Sequence, residues 1–288
     1  MKKIIAIVGP TGSGKTALGV KIAKEFNGEI INIDAFQVYK EISIGTNKIN
    51  KNEMNGIKFH LNGEVSIYDS WDIKIFQDRT NEIIDSIISK KKLPILVGGS
   101  NLYLDALIYN YDLSAAPRDD KFENLSNEQI YKLLLKQNQE VALKLGVNNR
   151  RRNIRALQII NNKEPFRQKN KLHYDCFLIT CFIERQKLYD KINTNVDLMI
   201  KNGWKNEIET LYQRDKNIDA LNAFKAIGYS DILNSIVTNK NIDIEKIKQK
   251  TRQYAKRQLS WIRHHYHTSF IFNDNYHALE QNIADFIK

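Results

Sequence analysis

Eight residues near the amino terminus, GPTGSGKT from Gly9 to Thr16, have the types and spacing of a phosphate site. Gly9-x4-Gly14-Lys15-Thr16 completes the phosphate-loop pattern. Gly9, Gly12 and Gly14 let successive backbone N–H groups turn toward one point, with Pro10, Thr11 and Ser13 between them. The amino end of the helix that should follow adds partial positive charge. Lys15 neutralises phosphate oxygens, and the Thr16 hydroxyl suits a Mg2+ ion. The plain alternative is a glycine-rich turn without a ligand. A strand before the loop and a helix after it favour the phosphate site.

A second chemical group, Asp34, closes the apolar run EIINID. A carboxylate at the carboxyl end of a strand, beside a phosphate loop, stands where open α/β sheets bind ligands. It can act as a general base or orient an acceptor. It can equally be a turn or helix-capping residue, and position alone does not separate these roles. A nucleotide hydrolase or kinase would add an apolar strand ending in a Mg2+-binding acid. The candidate here ends ILVGGSN, without one. The loop could therefore cradle a diphosphate that departs as a leaving group.

These groups need a scaffold. Ile4–Val8 is a short β-branched run and reads as a buried strand, and a helix is expected from about Thr16 to Phe26. Glu29–Asp34 and Leu93–Gly99 read as further strands. Between them Asp72 opens a helix with Ile73, Phe76, Ile83, Ile84, Ile87 and Ile88 on one face. The alternation predicts an α/β fold, a P-loop parallel sheet with helices on both faces. From 111 to 170 two helices follow with no strand, NEQIYKLLLKQNQEVALKLG and NNRRRNIRALQIINN. This is the expected small helical insertion domain, between core segments 1–110 and 171–288. YDCFLITCFIE returns to strand, and everything after Lys187 reads as helical.

The 288 residues carry a net charge of +11, and 42% are hydrophobic, enough for a core. Residues 1–110 hold 14 basic and 12 acidic side chains, a net of +2, which leaves +9 for the rest. The excess lies away from the phosphate loop, as expected of a nucleic-acid surface joined to a phosphate-binding core. Cys176 and Cys181 are five apart in a strand, so they face opposite ways and fit no zinc spacing. Two reduced cysteines, no cleavable leader and no membrane-length apolar run give the expectation of a cytoplasmic protein.

Lys246–Arg263 contains seven basic residues and no acid. At 3.6 residues per turn, Lys248, Arg252, Lys256 and Arg263 fall within about 80° of one another. Ile244, Ile247, Tyr254, Ala255 and Ile262 take a separate apolar face. Charge runs are usually solvated helix faces, but such a face would gain from Glu–Lys pairs that are absent here. Arg150, Arg151, Arg152 and Arg155 make a second basic cluster, in the insertion, although Arg155 precedes the apolar ALQII and could face the core. The histidines of RHHYH (Arg263–His267) fit solvent or RNA better than a metal ion.

GPTGSGKT, INIDAFQVYKEISIGTNK, LVGGSNLYLDALIYNYDL, NNRRRNIRALQI, AIGYSDIL and TRQYAKRQLSWIR fall in one order along the chain. In that order and spacing the sequence resembles the tRNA dimethylallyltransferases, also called tRNA isopentenyltransferases, from Lys3 to about Arg263. The phosphate loop is shared with many families; the later segments are far more specific.

The resemblance implies transfer of a dimethylallyl group from dimethylallyl diphosphate to N6 of the adenosine just 3′ of the anticodon. It implies Mg2+ as cofactor and the tRNA anticodon stem-loop as partner, with no membrane; a monomer is expected. By the same resemblance Asp34 is the catalytic base, and Lys15, Thr11 and Ser100 serve the diphosphate and the reaction. Ala35, Phe36 and Gln37 lie at the target adenine. Arg151, Arg152, Arg155, Lys248, Arg252 and Lys256 grip the tRNA. Phe36, Tyr39 and Tyr103 could stack on bases, though each is more often core packing.

Two positions depart from the family pattern. KINTNVDLM places Asn195 where the family carries an arginine on the diphosphate, and Ala35 replaces a serine. Lys191 and Arg185 are nearby cations that could stand in for the arginine. Two other readings stay open at the level of sequence. One is a P-loop small-molecule kinase, which leaves both basic clusters idle. The other is a tRNA-binding relative with a weakened active site.

Overall fold

Strand β1 (Lys2–Val8) owes its place to five consecutive apolar residues, Ile4–Val8, all essentially without solvent exposure. Apolar on both faces, such a strand has to lie in the middle of a covered sheet. A computed structural model, which describes residues 1–113, 121–162, 172–273 and 275–288, places it there. β2 (Gly28–Ile33), β3 (Phe59–His60), β4 (Leu93–Gly98), β5 (Tyr174–Cys181) and β6 (Phe270–Phe272) complete a parallel sheet in the order β3-β2-β4-β1-β5-β6.

The register is what assembles the site. Val8 pairs with Gly98 and Thr180, and Ile33 pairs with Gly98. β1, β2 and β4 therefore end level with one another. The residues that follow, Gly9, Asp34 and Gly99, leave the sheet at one edge.

Ile5, Ile7, Ile30, Ile95, Val97 and Ile179 form one face of the sheet, packed with Leu18 and Ile22 of helix α1 (Lys15–Glu25) and with Leu279 and Ile283 near the carboxyl terminus. The alternate residues Ile4, Ala6, Ile31, Ile33 and Leu96 are equally buried. Helices α2 (Ile73–Ser89) and α3 (Asn101–Ile108) pack on β2 and β4. Asp72 caps α2 as expected: its carboxylate accepts the Lys74 and Ile75 N–H groups, each at 2.9 Å.

Two expectations need correction. The insertion's first helix is two: α4 (Asn127–Gln137) ends at Asn138, which adopts φ −155° and accepts the Val141 N–H to start α5 (Gln139–Leu145). An Asn side chain competes with the helix ladder, and here it breaks the helix. The tail after Lys187 is not all helical, because Phe270–Phe272 adds a strand beside β5. Three aromatic and β-branched residues are too few to give a readable alternation.

The chain divides into two compact units, Met1–Ile108 with Leu172–Lys288, and Tyr109–Lys171. The expected first boundary lies two residues later, and the second, at 170–171, falls outside the described residues. The smaller unit has its own core of Phe122, Ile130, Leu134, Ala142, Ile154 and Leu157, closed by α6 (Arg150–Asn161). Arg150 does internal work there, donating to the carbonyls of Leu125 at 2.6 Å and Glu123 at 2.7 Å.

The larger unit continues through α7 (Arg185–Lys201), α8 (Trp204–Arg214), α9 (Tyr229–Val237), α10 (Ile244–His265) and α11 (Tyr276–Ile287). Leu188 and Ile192 of α7 pack on Ala255 of α10. Among the described residues no helix is long and apolar enough to cross a membrane.

Of the four buried residues of α10, Ile247, Ala255, Gln258 and Ile262, one is polar: Gln258, 4% exposed. Its Oε1 accepts the Thr11 N–H at 2.9 Å, and its Nε2 donates to the Gly99 carbonyl at 3.0 Å. A methyl group at Gly99 would lie 2.1 Å from Nε2, so only glycine permits the approach. One side chain thus ties the helix to the phosphate loop and to the end of β4. Gln258→Leu leaves a buried donor and a buried acceptor without partners. We expect a loss of about 1–3 kcal/mol in urea denaturation; an unchanged midpoint would refute the strut.

Candidate active site

The phosphate loop turns from β1 into α1 through two residues with positive φ, Gly12 at 82° and Gly14 at 83°, the second of them the N-cap of α1. A side chain at either would be strained. Thr11 gives its N–H to Gln258, while Ser13 donates its own to the Pro10 carbonyl at 3.2 Å. The Lys15 ammonium reaches back to the same carbonyl at 3.0 Å. Burial lowers the Lys15 pKa, and the nearby Cys181 and Asp34 work against that shift.

Asp34 begins the turn after β2. Its Oδ1 accepts the N–H groups of Phe36 at 2.9 Å and Gln37 at 3.2 Å. This is the turn role that the sequence left open, yet it occupies only one oxygen. Oδ2 accepts no hydrogen bond among the described residues. Burial raises the pKa of Asp34; the two N–H groups and Lys15 oppose the rise. The Ser100 hydroxyl accepts the Ala35 N–H at 3.2 Å, and the Ser100 N–H donates to the Ile33 carbonyl at 3.1 Å. Gln37 donates to the carbonyls of Thr46 at 2.9 Å and Asn47 at 3.3 Å.

Those contacts shape the wall of a cavity of about 420 Å³. Its lining includes Gly12, Gly14, Lys15, Thr16, Asn32 and Asp34. A second cavity of about 290 Å³ is lined by Phe36, Ile192, Val196, Met199, Trp204 and Arg257, among others. Thr11, Asp34, Thr46, Asn47, Asn195 and Tyr254 line both. The first is a polar phosphate chamber and the second is largely apolar, and Asp34 stands at their junction.

The segment from Tyr39 to Lys48 forms part of both walls and is held on several sides. Glu207 accepts the N–H groups of Ser43 at 2.7 Å and Ile44 at 2.8 Å, and the Tyr229 hydroxyl at 2.7 Å. The Lys48 ammonium donates to the carbonyls of Tyr39 and Lys40 and to the Ser43 hydroxyl. Burial lowers its pKa to about 8.

The structure thus brings Gly9–Thr16, Asp34, Ala35, Phe36, Gln37 and Ser100 together. The basic stripe of α10 is divided. Lys248 pairs with Asp197 and Glu245, both at 2.9 Å, and Arg252 donates to Asn193 at 2.6 Å. Lys256, Arg257 and Arg263 are exposed. In the smaller unit Arg151 and Arg152 are exposed, while Arg155 is half-buried and reaches Gln158 at 3.5 Å. Tyr39 is fully buried and Tyr103 packs on Phe76 with ring centroids 4.6 Å apart, so both serve the core. Phe36 faces the second cavity. Cys176 is half-buried and Cys181 buried, and neither is in a disulfide.

Gln258, Tyr254 and Arg257 are site residues that the sequence reading missed. They sit at turn spacing in TRQYAKRQLSWIR, where the charge count drew attention to the lysines and arginines. The signal was a glutamine on the apolar side of an amphipathic helix. Burial and the charge of Asp34 raise the Tyr254 pKa, so its phenol stays protonated as a donor.

The chamber lining contains no His or Cys and offers oxygen donors beside the loop: the Thr16 hydroxyl, Asp34, and Asn32, whose amide nitrogen is engaged by the Leu61 carbonyl at 3.2 Å. This donor set fits Mg2+. Among the described residues no group of three or more His, Cys, Asp or Glu could hold a metal by itself. A cation here would share its coordination with phosphate oxygens and water.

Comparison with known proteins gives the same picture from outside. The family model described as IPP transferase matches residues 37–265. A tRNA dimethylallyltransferase of Malacoplasma penetrans is 44% identical over 99% of this chain and 98% of its own length. One from Oceanobacillus iheyensis is 38% identical over 98% of this chain and 93% of its own. The crystal structure of a tRNA delta(2)-isopentenylpyrophosphate transferase from Staphylococcus epidermidis superposes with a TM-score of 0.74 at 33% identity, covering 100% of this chain and 99% of that one. A eukaryotic dimethylallyltransferase described as acting on tRNA gives 0.80 at 31% identity, covering 91% of this chain and 70% of that one. The family match spans most of the chain and the relatives span nearly all of it, so this chain belongs to the IPP transferase family.

Proposed function

We propose that the protein transfers a dimethylallyl group from dimethylallyl diphosphate to N6 of the adenosine 3′ of the anticodon in tRNA. The observation that carries this reading is the junction of the two cavities at Asp34. The phosphate chamber takes the diphosphate, with the amides of Gly12, Gly14, Lys15 and Thr16 and the Lys15 ammonium on its oxygens. The Thr16 hydroxyl would hold a Mg2+ ion, which would add charge stabilisation for that leaving group. The neighbouring apolar cavity takes the purine, with Phe36 as a surface for stacking.

An exocyclic adenine amine is a weak nucleophile, since its lone pair is shared with the ring. Its nitrogen forms the new bond to the allylic carbon as the carbon–oxygen bond breaks, and the electron pair leaves with the diphosphate. The amine proton passes to Oδ2 of Asp34, the oxygen that the turn leaves available. A raised pKa suits a base that must accept a proton near neutral pH. The adenosine has to leave the anticodon stack to arrive there, at a cost of roughly a few kcal/mol. Lys256, Arg257 and Arg263 on α10, and Arg151 and Arg152 on α6, are exposed cations of the two basic clusters and are placed to meet solvent-borne RNA phosphates. A kinase would use none of them.

The test is mass spectrometry of the anticodon-loop nucleosides after tRNA is incubated with the protein, Mg2+ and dimethylallyl diphosphate. A mass gain of one dimethylallyl group on the adenosine 3′ of the anticodon is expected. Transfer of a γ-phosphoryl group to a small acceptor, or tRNA binding without any transfer, would contradict the reading.

Asp34→Asn separates charge from geometry, because an amide oxygen can still accept the Phe36 and Gln37 N–H groups. Turnover should fall by about 10²–10⁴-fold, with stem-loop affinity little changed. The folded pKa of Asp34 lies above its unfolded value, so its ionised form opposes folding at neutral pH, and that penalty fades as pH falls through the raised pKa. The variant should therefore melt at a higher temperature at pH 7 than the parent, and the difference should shrink in acid. A lower melting temperature would show that the charge stabilises the fold.

A further inference from the structure

The phosphate chamber has a cation deficit if Lys15 works alone. Lys15 shares its ammonium with the Pro10 carbonyl and faces the Asp34 carboxylate, so part of its charge is already balanced. On α7, Asn195 lines the chamber and carries no charge.

One helical turn earlier on the same face stands Lys191, which lines the chamber together with Lys15. Its backbone is close to the loop: a methyl group built on Gly12 would lie 3.9 Å from Lys191 Cβ. Lys191 is exposed, and it makes no hydrogen bond or ion pair among the described residues. The other basic side chains of this region are occupied or turned elsewhere. Arg185 bonds the Tyr189 hydroxyl at 3.3 Å and lies over that ring, outside both linings. Arg252 is held by Asn193, and Lys248 by Asp197 and Glu245. Arg257 lines the second cavity and not the chamber.

We infer that Lys191 is the second diphosphate-binding cation of this chain, adding to Lys15 on the leaving group the charge that Asn195 lacks. The inference rests on the diphosphate reading of the chamber. A lysine ammonium four bonds from its Cβ can reach an anion seated on the loop amides and, as a point charge, requires no fixed approach angle. An arginine at 195 would reach the same anion from the next turn of α7.

The test uses inorganic pyrophosphate as probe, in calorimetric titrations of the full chain with Mg2+. Lys191→Gln should weaken pyrophosphate binding by about 10-fold or more, raise KM for dimethylallyl diphosphate, and leave anticodon stem-loop affinity within about twofold. Adding Asn195→Arg to Lys191→Gln should restore pyrophosphate affinity, which a merely structural role for Lys191 would not allow. Pyrophosphate affinity in Lys191→Gln within about twofold of the parent overturns the inference, as does a double variant no tighter than the single. Pyrophosphate binding that depends on Lys191, in a protein that transfers no prenyl group, would sink the prenyl-transfer reading while this inference stands.

Discussion

Two opposite charges partly withdrawn from water, Lys15 and Asp34, face the same chamber at the end of a parallel sheet. Burial penalises each of them; Cys181 and then Asp34 oppose the penalty at Lys15, and the Phe36 and Gln37 N–H groups and then Lys15 oppose it at Asp34. Such a pair is costly to keep in an empty site and gains from company: a polyanion beside the lysine, a proton donor beside the carboxylate. The register of β1, β2 and β4 fixes where the pair meets, because those strands end level and release the loop, the carboxylate and the Gly98-Gly99-Ser100 turn at one edge. Catalysis by positioning follows from that alignment more than from any single residue.

Around this centre the helices of the carboxyl-terminal half act as walls. Gln258 joins α10 to the loop and to β4, so the helix carrying the exposed cations is built into the wall of the chamber. Glu207 and Lys48 hold the Tyr39–Lys48 segment from two directions, and that segment contributes Thr46 and Asn47 to both cavities. Stability and chemistry share these contacts. Removing one of the buried polar side chains would leave its partners unsatisfied and shift the lining as well.

Much of this was legible in the sequence, and for physical reasons. Ile4–Val8 and Leu93–Gly98 are continuous apolar runs, which only a covered parallel sheet explains, and the loop between strand and helix has a strict glycine requirement. Asp34 was legible as a place and not as a role, since a carboxylate that makes a turn and one that takes a proton look identical in sequence; here one side chain does the first with Oδ1 and offers Oδ2 for the second. The α10 stripe was read too simply. Lys248 and Arg252 point along the positive face, but the acids and amide that engage them come from elsewhere, Asp197 and Asn193 from α7 and Glu245 from the helix's own first turn. Periodicity within one helix cannot report what a neighbouring helix presents. β6 and the break at Asn138 were missed because each rests on one to three residues, below the length at which a pattern can be counted.

The central claim is that donor and acceptor occupy separate cavities that meet at Asp34. It is tested most directly by titrating pyrophosphate into the protein with Mg2+, first alone and then with a saturating anticodon stem-loop. Two adjoining chambers predict simultaneous binding, with pyrophosphate affinity retained or improved when the RNA is present. Mutual exclusion, with each ligand displacing the other, would mean one shared pocket and would contradict the account.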